Sequence, residues 1–210
     1  MVMHIILFGI QGSGKGTQAQ LLSKRFSWTH VNIGEVFRHH IEKETELGEI
    51  AQEYIHDGNF VPDDLVFTLL KEVLECNSDG FILDGFPRNV HQGHYLLENY
   101  SIDKVIKLKL DEEKAVQRMS ARRICKNCKT DFNLLMKKPR KEGICDQCGG
   151  ELVQRKDDKP QAIKKRLEKY YQETKPVIEL IKSKMPVYEI DADDTPQSIH
   201  EKIVEYLQAK

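Results

Sequence analysis

Three groups of residues have the types and spacing to do chemistry. The first is Gly9-Ile10-Gln11-Gly12-Ser13-Gly14-Lys15-Gly16-Thr17. Glycines let successive backbone N–H groups converge on a phosphate, and a helix opening at such a string adds its positive end. The Lys15 ammonium has the reach for β- and γ-phosphates, and a hydroxyl after it can approach Mg2+ directly or through water. The general pattern sets Ser or Thr directly after the lysine, whereas here Gly16 intervenes before Thr17. The second group is Asp84, which closes the apolar run Phe81-Ile82-Leu83. In a parallel sheet an acid at a strand's carboxyl end stands where ligands bind. The third is two CxxC pairs, Cys125/Cys128 and Cys145/Cys148, with sixteen residues between them. Four thiolates on two facing knuckles suit a closed, tetrahedral structural zinc site. An iron–sulfur cluster and a disulfide pair are the alternatives, with no redox context for the first and a reducing compartment against the second.

These groups need elements to hold them. Short β-rich runs at His4–Phe8, Thr29–Ile33, Phe81–Asp84, Lys104–Leu110 and Pro186–Asp191 alternate with helical stretches at Lys15–Phe26, Pro62–Cys76, Asp111–Arg122, Pro160–Lys184 and Thr195–Leu207. Strand–helix alternation predicts a parallel sheet covered on both faces. Two stretches interrupt it. Residues 32–61 are helical in pattern but lie between neighbouring strands. Residues 122–156 carry ten Lys/Arg against four Asp/Glu, with weak periodicity, and read as a small inserted domain.

Composition sets the limits. The chain has 210 residues, 40% apolar and 31% charged, which supports one packed main domain with inserted arms. A net charge of −1 gives no global pull toward nucleic acid or membrane. The apolar run Ile5–Phe8 is too short to span a bilayer, so the chain reads as cytoplasmic. Cys76 is left over and is expected to pack near a helix end; His39 and His40 lack a second ligand pair and are expected at the surface or in packing. Lys137, Lys138, Arg140 and Lys141 are expected to form a solvated face.

The string GxxGxGKGTQ from Gly9 to Gln18 is more specific than a bare phosphate loop. With Asp84-Gly85-Phe86-Pro87-Arg88 and Asn32-Ile33-Gly34-Glu35-Val36-Phe37-Arg38 it resembles the nucleoside monophosphate kinases, the adenylate kinase family above all, in its bacterial zinc-lid type. Arg118, Arg122, Arg123, Arg155, Asp157, Asp158 and Arg166 fall where that family has its arginines and paired acids, and the resemblance covers essentially the whole chain. It implies a three-layer α/β P-loop fold with a parallel five-stranded sheet. Residues 1–31, 62–121 and 159–210 would form the core, 32–61 a helical NMP-binding arm and 122–158 a zinc-binding lid. The implied reaction is reversible, Mg2+-dependent transfer from ATP to AMP giving two ADP, in line, without a general base, under lid closure.

The resemblance also implies roles. Gly12, Ser13, Gly14, Lys15, Gly16 and Thr17 would hold the ATP phosphates, with Arg118 and Arg122. Arg122 and Arg155 would reach the donor phosphates as the lid closes, and Arg118 and Arg166 would line the transfer path. Arg38 and Arg88 would grip the acceptor phosphate, and Arg155 and Arg166 also belong to the acceptor set. Ile33, Val61, Gly85 and Gln92 would surround the acceptor base, and Asp84 would organise Mg2+ through water. Lys15, Arg88, Arg118, Arg122, Arg155 and Arg166 form the expected catalytic set. Relatives carry Pro where Gln11 stands, and Thr-Gly-Asp where this chain has Ile33-Gly34-Glu35. Gln92 favours adenine, since the UMP/CMP relatives place Asn there. A UMP/CMP kinase is the near alternative, and a nucleotide-gated protein using its basic zinc arm on RNA the distant one. A monomer is expected, with no nucleic-acid or membrane partner.

Overall fold

The structure, a computed structural model, describes residues 2–56, 59–75 and 79–209. The alternation read from the sequence builds a five-stranded parallel sheet from β1 (His4–Gly9), β2 (Thr29–Val31), β3 (Phe81–Asp84), β4 (Lys104–Lys109) and β8 (Val187–Asp191), in the order β2-β3-β1-β4-β8. Successive side chains of β1 take opposite faces. Ile6 and Phe8 enter one apolar cluster, Ile5 and Leu7 the other, so both faces are covered. The second cluster is closed by α1 (Lys15–Phe26) and α9 (Pro196–Gln208). The first takes α2 (Ile33–Glu42), α4 (Asp63–Glu75), α5 (Val90–Asn99), α7 (Pro160–Lys169) and α8 (Lys175–Lys182).

The stretch 32–61 contains two helices, α2 and α3 (Glu46–His56). Beyond α6 (Glu112–Ser120) the chain leaves the sheet for a separate antiparallel one, β6-β5-β7, from β5 (Arg122–Cys125), β6 (Asp131–Asn133) and β7 (Leu152–Val153). Its own apolar cluster is Cys125, Phe132, Cys145 and Leu152 alone. A body that small lacks the buried area to hold itself without a staple. Lys137, Lys138, Arg140 and Lys141 are exposed there, as expected. His39 is exposed, and His40 Nδ1 lies 2.9 Å from Thr45 Oγ1. Cys76 lies outside the described residues.

Three elements differ from the sequence reading by more than one residue. The second strand ends at Val31, because Asn32 caps α2 and Ile33 is already helical. The helix read to Arg122 ends at Ser120, and Arg122 opens β5 by pairing with Asn133. The long helix read over Pro160–Lys184 is interrupted by a π turn at Tyr170–Thr174, and α8 ends at Lys182. Pro176 accounts for the interruption. It has no N–H to give the preceding turn and its ring clashes with the carbonyl four residues back, so the helix widens by one residue.

Candidate active site

The glycine-rich string turns at the carboxyl end of β1, and Gly14 is the N-cap of α1. Ser13 N donates to Ile10 O at 3.1 Å, which closes the loop. Gly12 has φ +84°, and a Cβ on it would lie 2.8 Å from the Ala115 carbonyl, so only glycine fits. Lys15 Nζ folds back and donates to Gly9 O at 2.7 Å and Ile10 O at 3.1 Å. Pairing of Leu7 with Asp84 in adjacent parallel strands brings the acid beside the loop. A Cβ at Gly16 would lie 3.3 Å from Asp84 Oδ2. The glycine that departs from the general phosphate-loop pattern therefore leaves room for this carboxylate against the loop.

Asp84 is 4% exposed. Its Oδ2 accepts from Asn32 Nδ2 at 2.7 Å and lies 3.2 Å from His30 Nε2, while Oδ1 takes no side-chain donor among the described residues. Burial pushes the carboxyl up, but the His30 hydrogen bond, the Lys15 charge and the Asn32 amide outweigh it and hold Asp84 below the ordinary carboxylate range.

Six arginines converge from different parts of the chain. Arg88 follows the turn after β3 and donates Nε–H to Gly85 O at 2.6 Å, with its guanidinium over the Phe60 ring. Arg122 makes a two-pronged bond to Asp158, Nε to Oδ2 at 2.7 Å and Nη2 to Oδ1 at 2.5 Å. Arg166, on α7, reaches Asp158 Oδ1 at 3.1 Å and Asp157 Oδ2 at 3.2 Å. The paired acids thus hold Arg122 and Arg166 in one network. Arg155 Nη2 bonds Asp131 Oδ1 at 3.0 Å, and its buried Nε has no partner among the described residues. Arg38, on α2, is pushed down to about 10 by burial and by Arg155. Arg118, at the end of α6, donates to Ala192 O at 2.9 Å on the far side of the loop.

Lys15, Arg38, Arg88, Arg118, Arg122, Arg155 and Arg166 line one cleft of about 310 Å3 with Gly12–Thr17, Asp84 and Asp157. Counting Lys137, eight Lys and Arg side chains face five cleft-lining acids, Glu35, Asp84, Asp131, Asp157 and Asp194, with Asp158 fully buried behind them. Charges removed from water without full pairing are costly, so such a cleft favours a polyanion that completes them. Burial lowers the Lys15 ammonium to about 8 against the pull of Asp84, and Arg88, Arg166 and Arg122 add to the fall.

A smaller recess joins this cleft, lined by Gly34, Val61, Gly85, Arg88 and Gln92 among others. Gln92 is buried, with Oε1 accepting from Arg88 N at 2.8 Å and Nε2 donating to Asp63 Oδ1 at 2.6 Å. One lone pair and one hydrogen of that amide stay uncommitted. Ile33 is buried in the core and lines neither space. Gln11 Nε2 donates to Arg166 O at 3.3 Å, tying the phosphate loop to α7. His30, Asn32, Phe60, Asp63 and Asp131 were not singled out as site residues from the sequence. Asn32 and Asp63 precede or open helices, which is a capping signal, but nothing local points to their partners.

The four lid cysteines place their sulfurs within 4.8 Å of one another. Cys125 and Cys148 are 3.4 Å apart at Sγ, and Cys128 and Cys145 3.5 Å, far beyond a disulfide's ~2.05 Å. A tetrahedral ion with Zn–S of ~2.3 Å requires S···S edges of ~3.8 Å. The group fits one ion and has no room for a multi-iron cluster.

The adenylate kinase family model matches residues 7–185. The chain belongs to the adenylate kinase family. It is thus a nucleotide-binding phosphotransferase, with a four-cysteine group suited to zinc in its lid. The adenylate kinase of Caldicellulosiruptor bescii is 49% identical over 189 residues, covering 87% of this chain and 88% of the relative. That of Clostridium tetani is 40% identical over 214 residues, with 99% of each covered, and that of Streptomyces avermitilis 38% over 214, with 98% and 97% covered. Among the described residues no helix is long and apolar enough to cross a membrane.

Proposed function

We propose that this chain catalyses the reversible, Mg2+-dependent transfer of the γ-phosphoryl group of ATP to AMP, giving two ADP. The observation that carries the reading is the buried cationic excess around the phosphate loop, opening into a second recess. Two phosphate-bearing ligands would complete the charges that the acids leave unpaired. Gly12 to Thr17 would hold the ATP phosphates, with Lys15 aimed at the transferring group and Arg118 and Arg122 on the donor side. Arg38 and Arg88 would take the acceptor phosphate, whose oxygens suit a guanidinium fork. Arg155 and Arg166 would bridge donor and acceptor, and Val61, Gly85 and Gln92 would border the acceptor base.

The acceptor oxygen is an ionised phosphate monoester, so alignment and charge neutralisation suffice and no general base is needed. Asp84 would hold Mg2+ through water, and its ionised carboxylate with an uncommitted Oδ1 fits that task. Mg2+ would neutralise charge between the transferring oxygens. The four cysteines would hold one structural zinc, with no open ligand position. Residues 32–61 and 122–158 would act as the acceptor arm and the lid of a core comprising 1–31, 62–121 and 159–210. Closure of both would exclude water from the phosphoryl group. The protein would work as a cytoplasmic monomer on ATP, AMP and ADP, with no nucleic-acid or membrane partner.

The test is kcat/KM for AMP, CMP, UMP and GMP under saturating Mg2+–ATP. AMP is expected to lead, because the Gln92 amide can pair with the donor and acceptor on adenine's edge. UMP or CMP matching AMP would overturn the adenine assignment.

A further inference from the structure

Asn32 carries two bonds with different consequences. Its Oδ1 accepts from Glu35 N at 3.0 Å and caps α2, the first helix of the acceptor arm. Its Nδ2 donates to Asp84 Oδ2 at 2.7 Å. The orientation of the amide is fixed by chemistry: the Glu35 N–H needs an acceptor, which leaves the NH2 for the carboxylate. His30 Nε2 reaches the same oxygen at 3.2 Å, and Gly16 approaches it from the phosphate loop.

A carboxylate can rotate and exchange its two oxygens. Here both side-chain donors fall on one of them, which breaks that symmetry. Oδ2 is held within the protein and Oδ1 is left for a ligand. Of the two donors, Asn32 gives the shorter bond, and only Asn32 also begins the acceptor arm. A shift of α2 therefore moves the cap, and the same side chain carries the shift to Asp84.

We propose that Asn32 is a positioning residue for phosphoryl transfer: one amide joins the start of the acceptor arm to the metal-side carboxylate and sets which of its oxygens faces the metal. This rests on the reading of Asp84 given above. Outer-shell partners of a metal-side carboxylate orient it, and their loss lowers metal affinity or activity by about 10–100-fold. Loss of a cap alone acts differently, through the stability of α2 and the binding of the acceptor.

Asn32→Ser separates the two roles. A serine hydroxyl caps a helix well but is one atom too short to reach Asp84 as the amide does. The expected result is a fall in kcat of about tenfold, a rise of similar size in the Mg2+ concentration for half-maximal activity, and an AMP KM within about twofold of the parent. In the Asp84→Asn background the same substitution is expected to lower kcat by less than about twofold further, since a residue that acts through Asp84 has little left to act on. Asn32→Thr, a second capping hydroxyl, repeats the measurement on an independent variant. A loss confined to AMP KM and melting temperature, or one fully additive with Asp84→Asn, would overturn the proposal while leaving the role of Asp84 intact. An Asp84→Asn protein with unchanged kcat and Mg2+ dependence would instead overturn the reading of Asp84, and the role of Asn32 with it.

Discussion

Lys15 is an ammonium lowered to about 8 by burial, held in the meantime by the carbonyls of Gly9 and Ile10. A polyphosphate that replaced those carbonyls would restore its charged form. Nucleotide binding at pH 8 should then take up about half a proton, and almost none at pH 6, where the lysine is already charged. Calorimetry in buffers of different ionisation enthalpy reads this directly, and Lys15→Met should abolish it. The same variant should lose about 10²–10³-fold in turnover, as for one preorganised electrostatic partner; near-normal turnover in a folded protein would remove Lys15 from the transition state. The sign for stability without nucleotide follows. Between about 8 and the ordinary 10.5 the folded chain binds fewer protons than the unfolded one, so stability from this group rises with pH across that window. Lys15 and Asp84 were legible from their own motifs, and the arginines outside those motifs only from the resemblance to the family; the structure brings all of them to one cleft. The bonds of Gln92 to Asp63 and of Asn32 to Asp84 join residues 29 and 52 positions apart, and no local pattern encodes them.

At the scale of elements, the lid has the most to lose. Its apolar cluster holds four residues, two of them cysteines, so the zinc proposed above would take the place of a core. Cys145→Ser should lower the melting temperature and let a chelator extract metal sooner, while turnover at low temperature survives in part, because none of the four clustered cysteines lines the cleft. Metal analysis decides the identity of the ion, and a preparation without zinc, or with an iron–sulfur absorbance band, would end the assignment. The paired CxxC spacing made this element readable, as the alternation of short β-rich runs with helical stretches did for the five parallel strands. The π turn was harder. One extra residue leaves the 3.6-residue periodicity of the flanking helices intact, and only Pro176 marks the place. That turn has a use, since Thr174 Oγ1 donates from it to Arg88 O at 2.9 Å and so braces the segment that carries Arg88.

For the whole molecule, the stretches 32–61 and 122–158, the arms of the proposal above, meet away from the cleft as well as at it. Lys129, in the first cysteine knuckle, places Nζ 2.6 Å from Glu42 Oε1 at the carboxyl end of α2. The knuckle holds Lys129 at φ 59°, a conformation that the neighbouring Cys128 ligand would help to fix once metal is bound. Glu42 is otherwise poorly placed, an acid at the negative end of a helix, so the ammonium relieves an unfavourable charge. By the closure proposed above, this pair forms only when lid and arm stand together. Both side chains are about half exposed, so its contribution is ~0.2–1 kcal/mol, at most about a fivefold shift in the open–closed balance. Lys129→Ala should therefore raise the KM of both nucleotides by no more than about fivefold at low salt, with kcat unchanged or higher if opening limits turnover. Screening should erase the difference at high ionic strength, where the Debye length is ~3 Å at 1 M. The exchanged pair Lys129→Glu with Glu42→Lys should recover most of the loss, which neither single reversal can do. Equal KM values for parent and Lys129→Ala at low salt would show that the arms close on the buried charges alone.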